Sequence, residues 1–351
     1  MTTAGSVQGV SPAAPSARAS VSVVIVNFNG ATVLKPCLDS VFAQPYRPIE
    51  VIVVDNASSD GSREMIRKEF PEVRLALNDT NLGFAEATNQ GVAMASSDKV
   101  VLLNNDTRVS SNWLTGLLDA ACQPGVGVVT SKVVTEGVPE AYYEMNGTLN
   151  YLGYNIMRAF RDLSLVFYAG GASLIFSKGV VGLPFLPEYF LYHEDVFLSW
   201  RIRLRGFDVR MAQESLVQHV GSATTRRQPS AFVTFYQERN RLLNALLLYE
   251  ASTLLRLIPL FLGDGAAKCG MALFGKGKSF SGLAHAYGWI IAHPRWIRRK
   301  RKELQRERRV PDRDILCLMS SKLLEGDGRL SSIVNTLSST YARIVGLASH
   351  A

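Results

Sequence analysis

The chain has few cysteines, few charged residues and no long apolar run. Its 351 residues include four cysteines, at positions 37, 122, 269 and 317, and this wide spacing excludes a disulfide framework or a zinc knuckle and favours a reducing cytosol. No stretch reaches the roughly 18 uninterrupted apolar residues of a spanning helix. Polar residues and Pro259 interrupt the nearest one, Leu242–Leu262. Residues 1–20 lack the basic start and apolar core of a signal peptide, and we expect them to form a disordered tail.

The overall composition is typical of a globular protein, and its positive charge is concentrated in one segment. Hydrophobic residues make up 47% and charged residues 19%, which excludes wholesale disorder. Of the net charge of +8, the segment Arg295–Arg309 carries +7, and all other residues together carry +1. A nucleic-acid-binding protein usually spreads its basic charge over a binding face. The local block therefore predicts an anionic membrane surface as partner, and no nucleic acid.

Residues 226–351 are predicted to form a helical C-terminal region with an amphipathic, basic segment on the membrane surface. Leu242–Leu262 and a group of apolar and aromatic residues near the basic block supply the apolar side. This group consists of Phe274, Trp289, Ile290, Ile291, Trp296 and Ile297. We therefore expect a cytoplasmic protein that is peripheral on the inner face of the cell membrane. The alternative is an ordinary helical domain that packs on the core and exposes a solvated basic face.

Residues 21–225 alternate between buried-strand and helix patterns, which predicts an α/β domain with a doubly wound, mostly parallel sheet. The predicted strands are Val21–Asn27, Glu50–Asp55, Val73–Leu77, Lys99–Asn104, Val126–Val134, Tyr168–Ser177 and Val209–His219. Glu136–Asp162 is predicted to be a long loop or small hairpin, and Asp195–Leu204 a helix. Ligands of such sheets bind beyond the carboxyl ends of the strands.

Polar residues at these strand ends are candidates for chemistry, and each has a plainer interpretation. Asp55 can accept a hydrogen bond from a nucleotide or belong to a loop. Asp106 can hold a divalent cation or form a turn. Glu194 or Asp195 can be a general base or cap a helix. His219 can ligate a metal if the fold brings it near Asp106, but a lone histidine is usually structural.

Seven motifs follow one another along the chain, and together they resemble glycosyltransferase family 2. They are VSVVIVNFNG, EVIVVDNASSDGS, NLGFAEATNQG, LLNNDT, GGASLIF, YHEDVFLSWRIRLRGF and QHVGSAT. The family consists of inverting enzymes with a GT-A fold, and within it the sequence is similar to the bacterial rhamnosyltransferase-like branch. The resemblance covers about residues 21–310.

The resemblance implies a role for each matching position. A nucleotide-sugar donor would contact Asn27, Asn29, Asp55, Asn81, Gly83, Phe84, Asn105 and Arg239. Asp106 and His219 would hold a divalent cation, Mg²⁺ or Mn²⁺. Asp195 matches the catalytic base, and Glu194 lies beside it. The family's usual Asp-x-Asp is Asn104–Asp106 here, so one carboxylate is missing and metal binding would depend on Asp106.

The resemblance implies a metal-dependent transfer of a sugar from a nucleotide-sugar donor to an acceptor hydroxyl. The branch suggests dTDP-rhamnose as donor, and a UDP-hexose is the alternative. We expect the acceptor to be a glycan, carried on a polyprenyl diphosphate, in cell-envelope polysaccharide assembly. Whether the chain forms a homo-oligomer stays open.

Two functions of other classes compete with this hypothesis. A non-catalytic polysaccharide-assembly protein could retain the fold alone, but Asp55, Asp106 and Asp195 are all present. A dinucleotide enzyme would need a glycine-rich turn after the first strand, where this chain has NFNGAT with one glycine.

Overall fold

The protein is described by a computed structural model that covers residues 20–47, 49–135, 147–156, 166–220, 230–275, 277–326 and 328–347. Its strands are β1 (Val21–Asn27), β2 (Ile49–Asp55), β3 (Arg74–Leu77), β4 (Lys99–Asn104), β5 (Thr107–Val109), β6 (Val126–Thr135), β7 (Thr148–Leu149), β8 (Asn155–Ile156), β9 (Ser173–Ser177) and β10 (Asp208–His219). The helices that accompany the sheet are α1 (Ala31–Phe42), α2 (Ser62–Glu69), α3 (Gly83–Met94), α4 (Trp113–Ala121), α5 (Lys178–Val181) and α6 (Glu194–Leu204). The C-terminal helices are α7 (Ser230–Leu248), α8 (Ala251–Leu273), α9 (Phe280–Ala292), α10 (Pro294–Glu307), α11 (Asp312–Leu316) and α12 (Arg329–Ile344).

Eight strands form the central sheet in the order β3-β2-β1-β4-β9-β6-β10-β5, and β7 pairs with β8 in a small hairpin. Six of the eight run in the same direction, whereas β9 is antiparallel to β4 and β6, and β5 is antiparallel to β10. The predicted mostly parallel α/β sheet is therefore confirmed. This order brings the carboxyl ends of β1, β2, β4 and β10 to one edge.

The central strands are buried on both faces, which explains their almost continuous apolar sequences. In β1, Val23 and Ile25 belong to one hydrophobic cluster, and Val24 belongs to the cluster on the opposite face. All three side chains are almost fully buried. The rigid sheet fixes the positions of the polar residues that follow each strand.

The predicted strand Tyr168–Ser177 is shorter in the structure, because β9 begins only at Ser173. The two glycines before it break the strand, and the backbone N–H of Gly171 donates to the carboxylate of Asp195, at 3.1 Å, instead of to a neighbouring strand. The N–H of Ala169 likewise donates to the hydroxyl of Ser199 in α6, at 2.9 Å. Residues 166–172 therefore connect the sheet to α6.

The prediction that Leu242–Leu262 forms one membrane-surface segment is wrong for its first third. The stretch is divided between α7 and α8, and Leu243, Leu247 and Leu248 of α7 are fully buried in the core. Their burial follows from the packing of α7 against α6, α9 and α10. Within the described chain, no helix combines the length and apolar character needed to cross a membrane. The predicted tail up to residue 19, and much of the Glu136–Asp162 loop, lie outside the described residues.

Candidate active site

A cavity of about 490 Å³ opens at the carboxyl ends of the strands. Its lining residues come from strand ends, from the segment before α6, and from α7. They are Val26, Phe28, Asn56, Asn81, Gly83, Phe84, Asn104, Asn105, Asp106, Gly171, Phe190, Leu191, Tyr192, His193, Glu194, Asp195, His219 and Phe232. One side of the cavity is therefore rich in amides and carboxylates, and another side is aromatic.

Asp106 and His219 meet at the base of the cavity because of strand register. The short strand β5 turns back from β4 and pairs with β10, so that His219 stands opposite Thr107. The imidazole Nε2 of His219 lies 3.1 Å from Oδ1 of Asp106. Both residues are buried, and Nδ1 of His219 has no hydrogen-bond partner among the described residues. The sequence predicts that His219 can ligate a metal only if it lies near Asp106, and the structure brings the two side chains together.

This pair fits a divalent cation that also has other ligands. One carboxylate and one imidazole suit Mn²⁺, and Mg²⁺ is commonly held by one or two carboxylates together with substrate phosphates and water. No group of three or more His, Cys, Asp or Glu side chains occurs in the described parts of the chain that could enclose a metal alone. A cation at Asp106 and His219 would therefore need ligands from a bound diphosphate and from water.

The predicted nucleotide ligands Asn27 and Asp55 lie beneath the cavity and do not line it. The amide nitrogen of Asn27 donates to Asp55 at 3.0 Å, and its oxygen accepts from the amide of Asn105 at 2.9 Å. Asp55 also accepts from the backbone N–H of Ser58, at 3.0 Å, and pairs with Arg63. Both are fully buried and connect the ends of β1, β2 and β4. Direct nucleotide contact by these two residues stays a prediction.

Asn29 is exposed and lies on the loop after β1, outside the cavity lining. Its backbone is left-handed, with φ of 51°. Its side-chain oxygen accepts from the N–H of Ser59, at 2.8 Å, which joins the loops after β1 and β2. Its role in nucleotide binding also stays a prediction.

Asn81, Gly83 and Phe84 line the cavity, and Asn56 joins them, whereas contact of the three predicted residues with a nucleotide-sugar stays a prediction. The amide nitrogen of Asn56 donates to Asn81 at 2.7 Å, and its oxygen accepts from the N–H of Leu82 at 3.0 Å. Asn56 was not predicted as a site residue, although its position after a buried strand was a signal.

Glu194 and Asp195 begin α6 and lie in the cavity wall. Asp195 accepts backbone hydrogen bonds from Gly171 at 3.1 Å and Val196 at 2.7 Å. Burial, together with the charge of Asp195, raises the pKa of Glu194 to about 8. Burial also raises the pKa of Asp195, and its two N–H bonds oppose that rise. Near neutral pH Glu194 therefore retains its proton.

The helix-cap interpretation applies in part to Asp195, which accepts the N–H of Val196 in the first turn of α6, but not to Glu194. The residue before the helix is His193, and its side chain makes no capping hydrogen bond. Oε2 of Glu194 is buried without a partner among the described residues. A carboxylate pair held in a cavity wall can accept a proton from a bound hydroxyl.

The segment that leads into α6 is strained. Phe190, Tyr192 and His193 have φ between 60° and 69°, a region that non-glycine residues seldom adopt. The side-chain amide of Asn240 in α7 donates to three carbonyl groups of this segment. They are those of Tyr189 at 2.9 Å, Leu191 at 2.9 Å and Tyr192 at 2.7 Å. Sequence patterns gave no signal for this contact.

Arg239 lies behind the cavity and is absent from its lining. Its guanidinium donates to the carbonyl of Tyr189, at 3.3 Å, and to the side chain of Asn240, at 3.0 Å. It also stacks on the rings of Tyr236 and Trp289, 4.8 and 5.0 Å from their centroids. Through its hydrogen bond to Tyr189, Arg239 helps to hold the strained segment in place. Its contact with a nucleotide stays a prediction.

The sheet and the cavity define a protein of the GT-A fold, as its likeness to a solved structure confirms. The mannosyltransferase PcManGT from Pyrobaculum calidifontis, solved with GDP-Man and Mn²⁺, superimposes with a TM-score of 0.51 over 95% of this chain and 87% of its own, at 17% identity. Residues 22–181 match the model of glycosyl transferase family 2. The match spans 160 of the 351 residues, and over this segment the chain is similar to that family.

Two curated relatives are similar to this chain over part of their length. Glycosyltransferase AglE of Haloferax volcanii is 27% identical over 57% of this chain and 66% of its own length. The pre-mycofactocin glycosyltransferase of Mycobacterium tuberculosis is 29% identical over 59% of this chain and 44% of its own. The matched region thus spans less than two thirds of either relative.

Proposed function

We propose that this protein transfers a sugar from a nucleotide-sugar donor to an acceptor hydroxyl, with inversion at the anomeric carbon. The observation that carries the proposal is the single cavity that holds both the Asp106–His219 pair and the Glu194–Asp195 pair. The acceptor hydroxyl gives its proton to Asp195, and its oxygen forms a bond to the anomeric carbon. The bond from that carbon to the diphosphate oxygen breaks, and the nucleoside diphosphate leaves with the electron pair.

Asp106 and His219 would hold the divalent cation, Mg²⁺ or Mn²⁺. When bound, the cation supplies Lewis-acid stabilisation of negative charge on the diphosphate. Three amide side chains, Asn56 and Asn105 at strand ends and Asn81 in the loop before α3, provide uncharged hydrogen-bonding groups around the donor. Glu194, which holds a proton near neutral pH, avoids a second negative charge beside Asp195.

For the donor we propose dTDP-rhamnose, on the similarity of the motifs to the rhamnosyltransferase-like branch, with a UDP-hexose as the alternative. For the acceptor we propose a lipid-linked glycan of cell-envelope polysaccharide assembly. The acceptor proposal is supported by the apolar and basic surface of the C-terminal helices.

Purified protein should release nucleotide from one of four donors: dTDP-rhamnose, UDP-galactose, UDP-glucose or UDP-N-acetylglucosamine. We expect the largest release from dTDP-rhamnose, and EDTA should stop it until Mg²⁺ or Mn²⁺ is added back. Replacing Asp106 by alanine should lower the rate by ~100-fold or more, because the carboxylate is the one charged ligand of the pair. The measurement is nucleotide release, quantified by chromatography at several metal concentrations.

The matched control is Asp98→Ala, since Asp98 is an exposed carboxylate that bonds Ser177 and Gly179 away from the cavity. This variant should retain wild-type release. Greater release from a UDP-hexose would replace the rhamnose proposal and leave the transferase proposal in place. No release from any of the four donors would contradict the proposed function, and full activity in EDTA would contradict the metal proposal.

The protein's membrane-facing surface, in this proposal, is formed by α8 and α12. Leu255 and Leu262 of α8 are each 68% exposed, and Leu330 and Leu337 of α12 are 69% and 66% exposed. The two helices lie side by side, because the hydroxyl of Tyr341 donates to the carbonyl of Arg256 at 2.7 Å. Large apolar side chains on adjacent exposed faces suit insertion into the headgroup region of a bilayer.

Basic residues of α10 add charge complementary to anionic lipid. Arg298, Arg299 and Lys302 are exposed, whereas Arg301 donates to the carbonyl of Leu246 and supports the fold. Ile291, which is 78% exposed, closely precedes this basic segment. Apolar and basic surfaces together therefore favour an anionic membrane as the occupant.

The full chain should co-sediment with vesicles of phosphatidylglycerol and phosphatidylcholine, and high salt should release part of it. Replacing Arg298, Arg299 and Lys302 by glutamine should weaken binding by ~100-fold, at about 1 kcal/mol for each charge. Replacing Leu255, Leu262 and Leu337 by serine should also weaken binding to these vesicles. In this variant the fraction that high salt releases should stay as in wild type, because the basic residues are unchanged. Equal partition of all three proteins would contradict the membrane proposal. So would a salt-independent dimer that buries these leucines.

A further inference from the structure

One wall of the cavity is an aromatic cluster that the proposed reaction does not use. This aromatic wall consists of Phe190, Phe232 and Tyr236. The Phe190 and Tyr236 rings are stacked, with centroids 5.0 Å apart and an interplanar angle of 20°. Phe232 meets Phe190 edge-on at 6.0 Å and lies 4.7 Å from Tyr236. Phe190 and Phe232 line the cavity, and Tyr236 supports them from behind.

The aromatic wall is held in place from several directions. Gly83 leaves room for the Phe190 ring, because a Cβ at position 83 would collide with it. The carbonyl of Phe190 accepts from the N–H of Ala85 at 3.1 Å. Behind the wall, the Arg239 guanidinium lies 4.8 Å from the centroid of Tyr236. A wall fixed before binding loses little conformational entropy when a ligand contacts it.

The wall lies on the base side of the cavity. Phe190 is part of the segment that runs directly into α6, where Asp195 lies, whereas the amides and the Asp106–His219 pair belong to the strand ends. A general base must contact the hydroxyl from which it takes the proton. The acceptor therefore occupies the part of the cavity next to α6.

We infer that Phe190 and Phe232 form an acceptor subsite that stacks on the apolar face of a pyranose ring. The C–H face of a pyranose is apolar, and an aromatic side chain offers it a large, rigid surface. The hydroxyl groups at the rim of the ring remain free, and one of them reaches Asp195. This inference rests on the proposed function. It specifies that the acceptor hydroxyl belongs to a sugar ring and not to a lipid alcohol.

The test uses Phe232→Leu, which keeps an apolar side chain at a half-buried position but removes the ring. The probes are methyl α-L-rhamnopyranoside, methyl β-D-glucopyranoside and methyl β-D-galactopyranoside, each with dTDP or UDP present. Saturation-transfer NMR should show contact between the C–H protons of at least one ring and the wild-type protein. In Phe232→Leu the dissociation constant of that glycoside should rise about 3- to 10-fold, the size of one aromatic contact.

Two control variants separate the ring from general damage. Phe232→Tyr retains the ring and should bind the glycoside as wild type does. Phe274→Leu removes an exposed ring at the end of α8, which does not line the cavity, and binding should be unchanged. Nucleotide affinity, measured by calorimetry without glycoside, should be equal in all four proteins.

Three results would overturn the inference. They are equal glycoside affinity in wild type and Phe232→Leu, no ring-proton contact from any of the three probes, and loss of nucleotide affinity in Phe232→Leu. The last result would assign the wall to the donor. Because donor hydrolysis by water is measured separately, a failure of the proposed function appears as absent nucleotide release and is distinguishable from a failure of this subsite.

Discussion

Replacing Asp195 by asparagine should lower the rate of sugar transfer by about 10²- to 10⁴-fold, the usual effect of removing a positioned general base. Asparagine keeps the size of the side chain and an oxygen that can accept from Gly171, but it cannot take a proton. Nucleotide affinity should be retained, because the amides and the Asp106–His219 pair lie on other elements. Single-turnover transfer and calorimetric nucleotide binding measure the two quantities.

The matched control for this prediction is Glu194→Gln. Because Glu194 holds a proton near neutral pH, glutamine resembles its natural state, and the rate should fall less than in Asp195→Asn. Near wild-type transfer by Asp195→Asn would refute the assignment of the base. A larger loss in Glu194→Gln than in Asp195→Asn would transfer the role of base to Glu194.

The sheet could be predicted from the sequence because its signals are local. The apolar runs of β1 and β4 give the strands their bounds at Val21–Asn27 and Lys99–Asn104, and the structure has the same bounds. The position of the Glu194–Asp195 pair at the start of a helix is also a local signal, but its assignment as the base comes from the resemblance and stays a prediction. Where glycines interrupt an apolar run, the local pattern predicts a strand that is too long. The predicted strand Tyr168–Ser177 begins only at Ser173 in the structure.

Contacts between distant elements could not be predicted in this way. The proximity of His219 to Asp106 depends on the register of β5 with β10, and β5 is only three residues long. Phe232 lines the cavity from α7, whose sequence predicts that it belongs to a separate C-terminal region. The domain boundary near residue 225 therefore passes through the candidate site. The resemblance assigns Arg239 to the nucleotide-sugar donor, whereas in the structure its guanidinium contacts a backbone carbonyl and aromatic rings.

Replacing Asn240 by alanine should lower kcat by about 100-fold while nucleotide affinity stays at the wild-type value. The amide of Asn240 is the shared donor to three carbonyls between Tyr189 and Tyr192. Left-handed non-glycine residues cost about 1–3 kcal/mol each and persist only where surrounding contacts hold them. Without this amide the segment should relax and displace Asp195, and a displacement near 1 Å can cost about 100-fold in rate.

A purely structural role for Asn240 is tested with Leu243→Ala, which opens a cavity on the same helix. Leu243 is fully buried in the core, so its replacement by alanine should lower the free energy of unfolding by about 2–5 kcal/mol. Its side chain has no hydrogen-bonding group, and therefore the hydrogen bonds of the strained segment should be unaffected. Below its melting temperature this variant should keep the wild-type kcat. Hydrogen exchange should accelerate at residues 189–193 in Asn240→Ala and not in Leu243→Ala. If kcat falls in both variants only as far as the folded fraction falls, Asn240 stabilises the helix and does not position the base.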